Sequence, residues 1–381
     1  MVLDLNALTL HNCVLQLADG CGETTVPKSC LKLLSASLQR LDASWLVKPF
    51  GSSANGFTTK DSDLDLTCII PGKSQKAALE IFSNKRAEVE EVLKATLGIE
   101  VLQVIWTARV PVVKMKFAGF LEVDLTFQNV AALVNTDLLK AYSNMSPQLR
   151  QLGIAVKRWA KAADVSGAPQ GNLSSYSFTL MAIYFMQTCH GLPCLPTDVF
   201  SEDGPAIDLS GWRWECGLPL PTLLMQFFFF YSDSRQFQWG SEVVSVRMGC
   251  RLTMEHQCFA WLETWNQTNR LHIEDPFILD RNLNCVLGTW QEGRLKEALQ
   301  DAAAAMTSGK LPRCLDSGRT EAKDAASTET PASGLTSDKT QVVSDVEDSG
   351  KPADKVRAPE PSEVPLTALS LSFFRNRVVR L

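Results

Sequence analysis

Two short acidic stretches constrain this chain more than anything else in it. Asp63-Leu64-Asp65-Leu66 runs into the apolar Ile69-Ile70, and Asp124 sits within the alternating Leu121, Val123 and Leu125. Residues two apart on a strand face the same side. Asp63 and Asp65 therefore aim together while Leu64 and Leu66 face a core. The alternation around Asp124 is that of a half-buried strand. A polar hairpin with carboxylates on its wet face is the alternative, and the apolar flanks of both stretches argue against it. The expected result is a sheet with an apolar layer behind it and carboxylates at one edge in front.

Upstream, Phe50-Gly51-Ser52 precedes the first acid of that pair by ten intervening residues. A Gly-Ser turn presents backbone N–H groups and a hydroxyl to phosphate oxygens. Three converging carboxylates repel one another unless a hard cation lies between them. Magnesium prefers carboxylate, water and phosphate oxygens. Two such ions can activate an attacking hydroxyl and stabilise a leaving pyrophosphate. Each feature alone is weak; their order and spacing make the combination specific.

The chain has 381 residues, enough for two domains plus extra segments, and 45% hydrophobic residues with nine Trp supply a sizeable core. A net charge of −5 excludes a global basic footprint, so any nucleic-acid contact is expected from a local patch or the metal site. The eleven Cys are odd in number, irregularly spaced and lack a CxxC pair, which points to reduced thiols. With four His, no structural zinc is expected. No window approaches the roughly 18 apolar residues of a membrane span. Met1 to Asp19 carries no Lys or Arg and resembles neither a secretory signal nor an Arg-rich presequence.

Residues 1–47 read as helices leading into the first strand. A small α/β domain is expected over 48–135, with strands at Ser62–Ile70, Val101–Thr107, Val110–Phe117 and Phe120–Phe127 and one amphipathic helix near Lys76–Leu97. Residues 136–307 read as mainly helical. Leu149, Leu152, Val156 and Trp159 recur at helical steps behind Ser146-Pro147. Further helices are expected at Ser174–Thr188, Leu223–Ser232, Glu255–Trp265 and Leu295–Thr307. The fold class is α+β and bilobal. Residues 308–365 have the composition of a disordered linker. Residues 366–381, with alternating Arg and apolar residues, read as a docking strand, a basic peptide or a frayed tail.

Weaker signals follow the acidic strands. Asn129 and Asn135 can meet a ribose hydroxyl or a base carbonyl. Lys157 and Lys161, one helical turn apart, can place two ammonium groups on a triphosphate. Tyr176, in Leu173-Ser174-Ser175-Tyr176, can stack on a base. Ile273-Glu274-Asp275-Pro276-Phe277 sets an acid before a rigid turn. Taken singly, these are as well read as a loop cap, a solvated lysine face, a core tyrosine and a turn.

Together, over residues 30–300, these stretches resemble the terminal uridylyltransferase and non-canonical poly(A) polymerase family, within the DNA polymerase beta-like nucleotidyltransferases. The length is similar to that of the minimal kinetoplastid enzymes, which would imply a mitochondrial location within a multiprotein RNA-processing complex; a cytoplasmic location is the alternative. The resemblance implies a cleft between a small catalytic lobe and a helical lobe joined by the N-terminal helices. It implies UMP transfer from UTP to an RNA 3′ end with two Mg²⁺ or Mn²⁺ ions, and no membrane partner. Asp63, Asp65 and Asp124 would hold the metals, and Asp124 would help activate the 3′-hydroxyl. Gly51, Ser52, Lys157, Lys161 and Ser175 would meet the triphosphate. Asn135 would meet the ribose, Tyr176 would stack on the base, and Asp275 would help read the base edge. Many uridylyltransferases carry a second acid where this chain has Ile278, and some a His where it has Arg281. Base selection by the Asp275, Ile278 and Arg281 group is therefore made differently here, and adenylyl transfer or an inactive RNA-binding scaffold are the rival expectations.

Overall fold

The computed structural model describes residues 5–18, 25–59, 62–200, 209, 211–260, 262 and 270–316. Two N-terminal helices, α1 (Leu5–Ala18) and α2 (Thr25–Gln39), lead into β1 (Leu46–Phe50), the short helix α3 (Ser52–Asn55) and β2 (Leu64–Ile69). Two helices follow, α4 (Gln75–Asn84) and α5 (Arg86–Lys94), and then β3 (Ile99–Ile105), β4 (Val112–Phe117) and β5 (Leu121–Phe127). The five strands form one mixed sheet in the order β1-β2-β5-β4-β3. β2 and β5 run parallel and the other pairs are antiparallel.

One face of the sheet is dry. Leu64, Leu66, Val123 and Leu125 point into a core closed by Leu34 and Leu38 of α2, Phe82 of α4, and Val89 and Leu93 of α5. That arrangement requires α2 to belong to the sheet lobe, contrary to the expectation that both N-terminal helices join the helical lobe. Its residues Cys30, Leu34 and Leu38 recur every four positions and are fully buried there. α1 does pack on the helical lobe, against two of its helices.

The single helix expected near Lys76–Leu97 is two. Ser83-Asn84-Lys85 interrupts it, and Lys85 leaves helical geometry at φ −98° and ψ 10°. Ser and Asn compete with helical backbone bonds and favour helix ends. The break also sends the Lys85 Nζ to the Leu41 carbonyl at 3.2 Å and above the Trp45 ring.

The helical lobe contains α6 (Val130–Met145), α7 (Pro147–Ala162), α8 (Ser175–His190), α9 (Leu220–Ser232), α10 (Thr289–Thr307) and the short α11 (Arg313–Asp316), with a two-stranded ladder of β6 (Val243–Val244) and β7 (His272–Ile273). Ser146 caps α7 by accepting from the Leu149 N–H, with Pro147 in the first turn. The expected stripe of Leu149, Leu152, Val156 and Trp159 is buried. α8 is apolar on nearly every side and runs through the centre of this core. Where a helix was expected from Glu255, residues 255–260 form turns, and Met254, Phe259 and Leu262 make a small separate core with Val243. The backbone there closes through three-residue steps such as Phe259 N–H to His256 O, and the His256 ring accepts from the Cys258 N–H. The stretch taken as linker begins later than expected: Leu311, Cys314 and Leu315 still pack on the helical core. The rest of the linker and residues 366–381 lie outside the described residues. No helix among the described residues is long and apolar enough to cross a membrane.

The two lobes are stitched by the segment after α3. Phe57 inserts into the helical core, where Gly153 makes room; a Cβ there would stand 2.6 Å from the Phe57 ring. The Ser143 hydroxyl donates to the Asn55 carbonyl and the Arg150 guanidinium to the Gly56 carbonyl.

Candidate active site

Strand register assembles an acidic edge. The parallel pairing sets Asp65 beside Asp124, and Asp63 stands just before β2. The antiparallel pairing of β1 with β2 sets Phe50 opposite Asp65, which brings the Gly51 turn over that carboxylate. Gly51 has φ 67°, and a Cβ on it would collide with Asp65 Oδ2. Only glycine satisfies both the left-handed backbone and that approach. The turn's donors are divided. The Gly51 N–H donates to Thr136 Oγ1 at 2.9 Å, and the Ser53 hydroxyl donates to the Phe50 carbonyl at 3.0 Å. The Gly51 backbone donor expected to meet phosphate is thus committed to α6, and Ser52 lines the cleft beside it.

The electrostatics show carboxylates crowding one another. Burial, then Asp124 and Asp63, push the Asp65 carboxyl up to about 7, while Lys157 and Lys114 oppose the rise. Asp63 is raised by burial, then by Glu122 and Asp124. Glu122, two residues before Asp124 on the same strand face, is a fourth acid that the motif reading missed. Opposite Asp124 on β4 stands Lys114, whose Nζ lies 2.8 Å from Asp124 Oδ2. Its ammonium is held above the ordinary lysine value, chiefly by that hydrogen bond.

This oxygen-rich edge fits a hard divalent cation in its donor chemistry. Asp63, Asp65 and Asp124 are the residues that would hold one. Among the described residues no three His, Cys, Asp or Glu side chains already stand at ligating spacing.

Beside the edge lies a cleft of about 370 Å³ lined from both lobes. Gly51, Ser52 and Asp65 line it from the sheet lobe, and Asn129, at the start of α6, lines it with Asn135, Lys157, Ser175 and Tyr176 from the helical lobe. Lys157 is only 9% exposed. Its Nζ donates to the Phe57 carbonyl at 2.7 Å. Burial lowers it to about 8, against the pull of Asp65. Lys161, one turn on, is exposed outside the lined cleft, and its charge lowers Asp63. The Tyr176 hydroxyl donates to Asn135 Oδ1 at 2.7 Å, which fixes the ring and leaves the Asn135 amide hydrogens for another acceptor. Ser174 caps α8, and Ser175 beside it is exposed to the cleft.

Asp275 departs from its expected place. Its side chain is fully buried and does not line the cleft. Asp275 Oδ1 accepts from the Phe277 and Ile278 N–H groups, and Oδ2 lies 3.5 Å from an Arg281 guanidinium nitrogen. Ile278 and Arg281 are the residues of this turn that face the cleft. Behind them Glu274 accepts from both Arg247 and Ser245, so the turn is anchored on a buried ion pair.

Lys114 was legible in principle. A hairpin centred on Gly119 pairs positions five residues either side of it, which are Lys114 and Asp124. Arg109, exposed on the β3–β4 connection, and Thr179 of α8 also line the cleft. No local pattern marks either.

Comparisons with known proteins agree with this architecture. Residues 22–144 match the family described as "Poly(A) RNA polymerase, mitochondrial-like, central palm domain", and residues 219–281 match "Cid1 family poly A polymerase". Terminal uridylyltransferase 7 of Homo sapiens is 34% identical over 258 residues, covering 62% of this chain and 17% of that protein. Poly(A) RNA polymerase cid11 of Schizosaccharomyces pombe is 32% identical over 244 residues, covering 61% and 48%. The chain thus spans about half or less of the length of these relatives. Among solved structures, that of the Cid1 poly(U) polymerase superposes with a TM-score of 0.62 at 23% identity, covering 80% of this chain and 95% of that one. Cid1 in complex with its short product ApU gives 0.63 at 24%, covering 82% and 98%.

Proposed function

We propose, from the premise that the chain belongs to the terminal uridylyltransferase and Cid1-type poly(A) polymerase family, that it adds UMP from UTP to the 3′ end of an RNA and releases pyrophosphate. The observation that carries the reading is one cleft lined by Asp65 of the carboxylate edge on one side and by Lys157, Ser175, Tyr176 and Arg281 on the other.

Asp63, Asp65 and Asp124 would hold two Mg²⁺ or Mn²⁺ ions, which when bound supply Lewis-acid activation of the hydroxyl and neutralise charge on the leaving pyrophosphate. Asp124 would orient the attacking 3′-hydroxyl. The Ser52 and Ser175 hydroxyls and the Lys157 ammonium meet the triphosphate from opposite walls, and Lys161 reaches its outer end. Lys157 is held by the Phe57 carbonyl, so its charge is positioned before substrate arrives. The Asn135 amide donates to the ribose 2′-hydroxyl. Tyr176 offers a ring already fixed by Asn135, and stacking a base on such a ring contributes roughly 1–3 kcal/mol.

UTP is favoured by what faces the base. Asp275, an acceptor, is buried behind Arg281, and a guanidinium carries donors only. Uracil O4 accepts from such a group; the adenine N6 amino group, a donor, finds no acceptor there. RNA itself is held by few contacts, given a net charge of −5, so binding falls only gently with added salt.

The test is single-nucleotide extension of a short labelled RNA with Mg²⁺, offering UTP, ATP, CTP and GTP separately. Preferential extension with UTP is expected. Preference for ATP would make the chain an adenylyltransferase, and no extension by folded protein with any of the four would overturn the enzymatic reading.

A further inference from the structure

We infer that Lys114 is the resident counter-cation of the carboxylate edge: its ammonium holds Asp124 until divalent ions bind, and metal affinity is set by competition with it. The inference rests on the proposed role of Asp124 as a metal ligand.

Three observations carry it. First, the Lys114 Nζ lies 2.8 Å from Asp124 Oδ2, and strand register imposes the pairing. Second, Glu122 lies two residues from Asp124 on the same strand face, opposite Lys116, so Lys114 stands on the sheet face that carries the acids of the edge. Third, the pair is built to open. The Lys114 side chain is 45% exposed and that of Asp124 29%. The stem can swing into solvent without leaving a cavity.

The other lysine of the cleft makes the contrast. Lys157 is buried and tied to a backbone carbonyl of the opposite lobe, so it cannot leave without opening the junction. An ammonium is a compact point charge on a flexible stem, suited to giving up one oxygen. A divalent ion held by the Asp124 carboxylate would bring a second positive charge beside the ammonium. Two cations so close repel strongly at any realistic dielectric. Binding would therefore weaken or displace the Lys114–Asp124 pair.

The experiment is Mn²⁺ titration of the metal-free, nucleotide-free protein, followed by calorimetry and by electron paramagnetic resonance of unbound Mn²⁺, at one fixed pH. Wild type is compared with Lys114→Met, Lys114→Gln, Lys114→Arg and Asp124→Asn, each checked for a cooperative melt. The two neutral variants are expected to bind Mn²⁺ about five-fold tighter, the shift given by loss of a part-exposed ion pair. Lys114→Arg, which keeps the charge, is expected to bind no tighter than wild type. Unchanged or weaker binding by both neutral variants, with wild type binding normally, would overturn the inference alone. Wild-type affinity in Asp124→Asn would overturn the ligand assignment and this inference with it.

Discussion

The two lobes bring opposite chemistry to one cleft, and they make it by different means. The sheet lobe supplies Asp63, Asp65, Glu122 and Asp124, whose mutual placement follows from strand register. The helical lobe supplies Lys157 and Arg281 with the Asn135 and Ser175 donors, gathered from α6, α7, α8 and the turn after β7, and Lys161 just outside the cleft. Each lobe also completes the other. Thr136 of α6 accepts from the Gly51 N–H, and the Phe57 carbonyl holds the Lys157 ammonium. The contrast teaches that the acids, and Lys114 paired with Asp124, are fixed by strand register, whereas the cations of the helical lobe depend on how the lobes are joined.

Removing one acid breaks the comparison most severely. Asp65→Asn is expected to lower nucleotide transfer about a thousand-fold or more, since the carboxylates act as one unit. The same variant should be more stable than wild type when metal-free, which separates its two effects. The folded-state value of Asp65, about 7, lies above the ordinary 3.8. The folded protein therefore holds that proton more tightly. Its contribution to stability is complete below the ordinary value and is lost as pH rises through 7. Melting temperatures of variant and wild type should be close near pH 4, and the variant's lead should open to on the order of 5 °C by pH 8. Equal melting at both pH values would show that Asp65 is not strained by its neighbours.

Lys157→Met tests the answering charge. A loss of about a hundred-fold in kcat/KM for the nucleotide is expected, as for removal of one preorganised electrostatic contact. Here the shift runs downward, from 10.5 to about 8. The unfolded chain binds the extra proton between those values, so wild-type stability climbs relative to the Met variant as pH rises from 8 toward 10.5. Melting across that range checks the sign, and a wild-type melting temperature that falls relative to the Met variant with rising pH would contradict it. The smallest effect sharpens the base side: Arg281→Gln adds an acceptor and should lower the UTP-to-ATP ratio of kcat/KM about ten-fold. An unchanged ratio would move base selection to other residues.

Much of the sheet lobe was legible because a strand's period of two links sequence directly to facing. The β2 and β5 acids, the helix from Pro147 and the turn at Gly51 all emerged where local pattern placed them. What escaped reading depended on distant partners. α2 looks amphipathic from any viewpoint, and only the sheet decides which core takes its Cys30, Leu34 and Leu38 face. Asp275 sits in a motif that reads as cleft-facing, yet two backbone N–H groups and Arg281 draw it inward. Glu255–Trp265 has helical composition, but of its described residues Phe259 and Leu262 pack with Val243 and not along a helical stripe, and residues 261 and 263–265 lie outside the described residues.

By itself the sequence determined the acidic edge, the glycine turn above it and the strands β2 to β5, because these follow from periodicity and from backbone limits within a few residues. The tertiary structure alone decided which groups of the helical lobe answer the acids. Lys157 meets a carbonyl 100 residues away and Tyr176 an amide 41 residues away. Such distances leave no trace in local pattern, since they are fixed only when Phe57 of one lobe seats against Gly153 of the other.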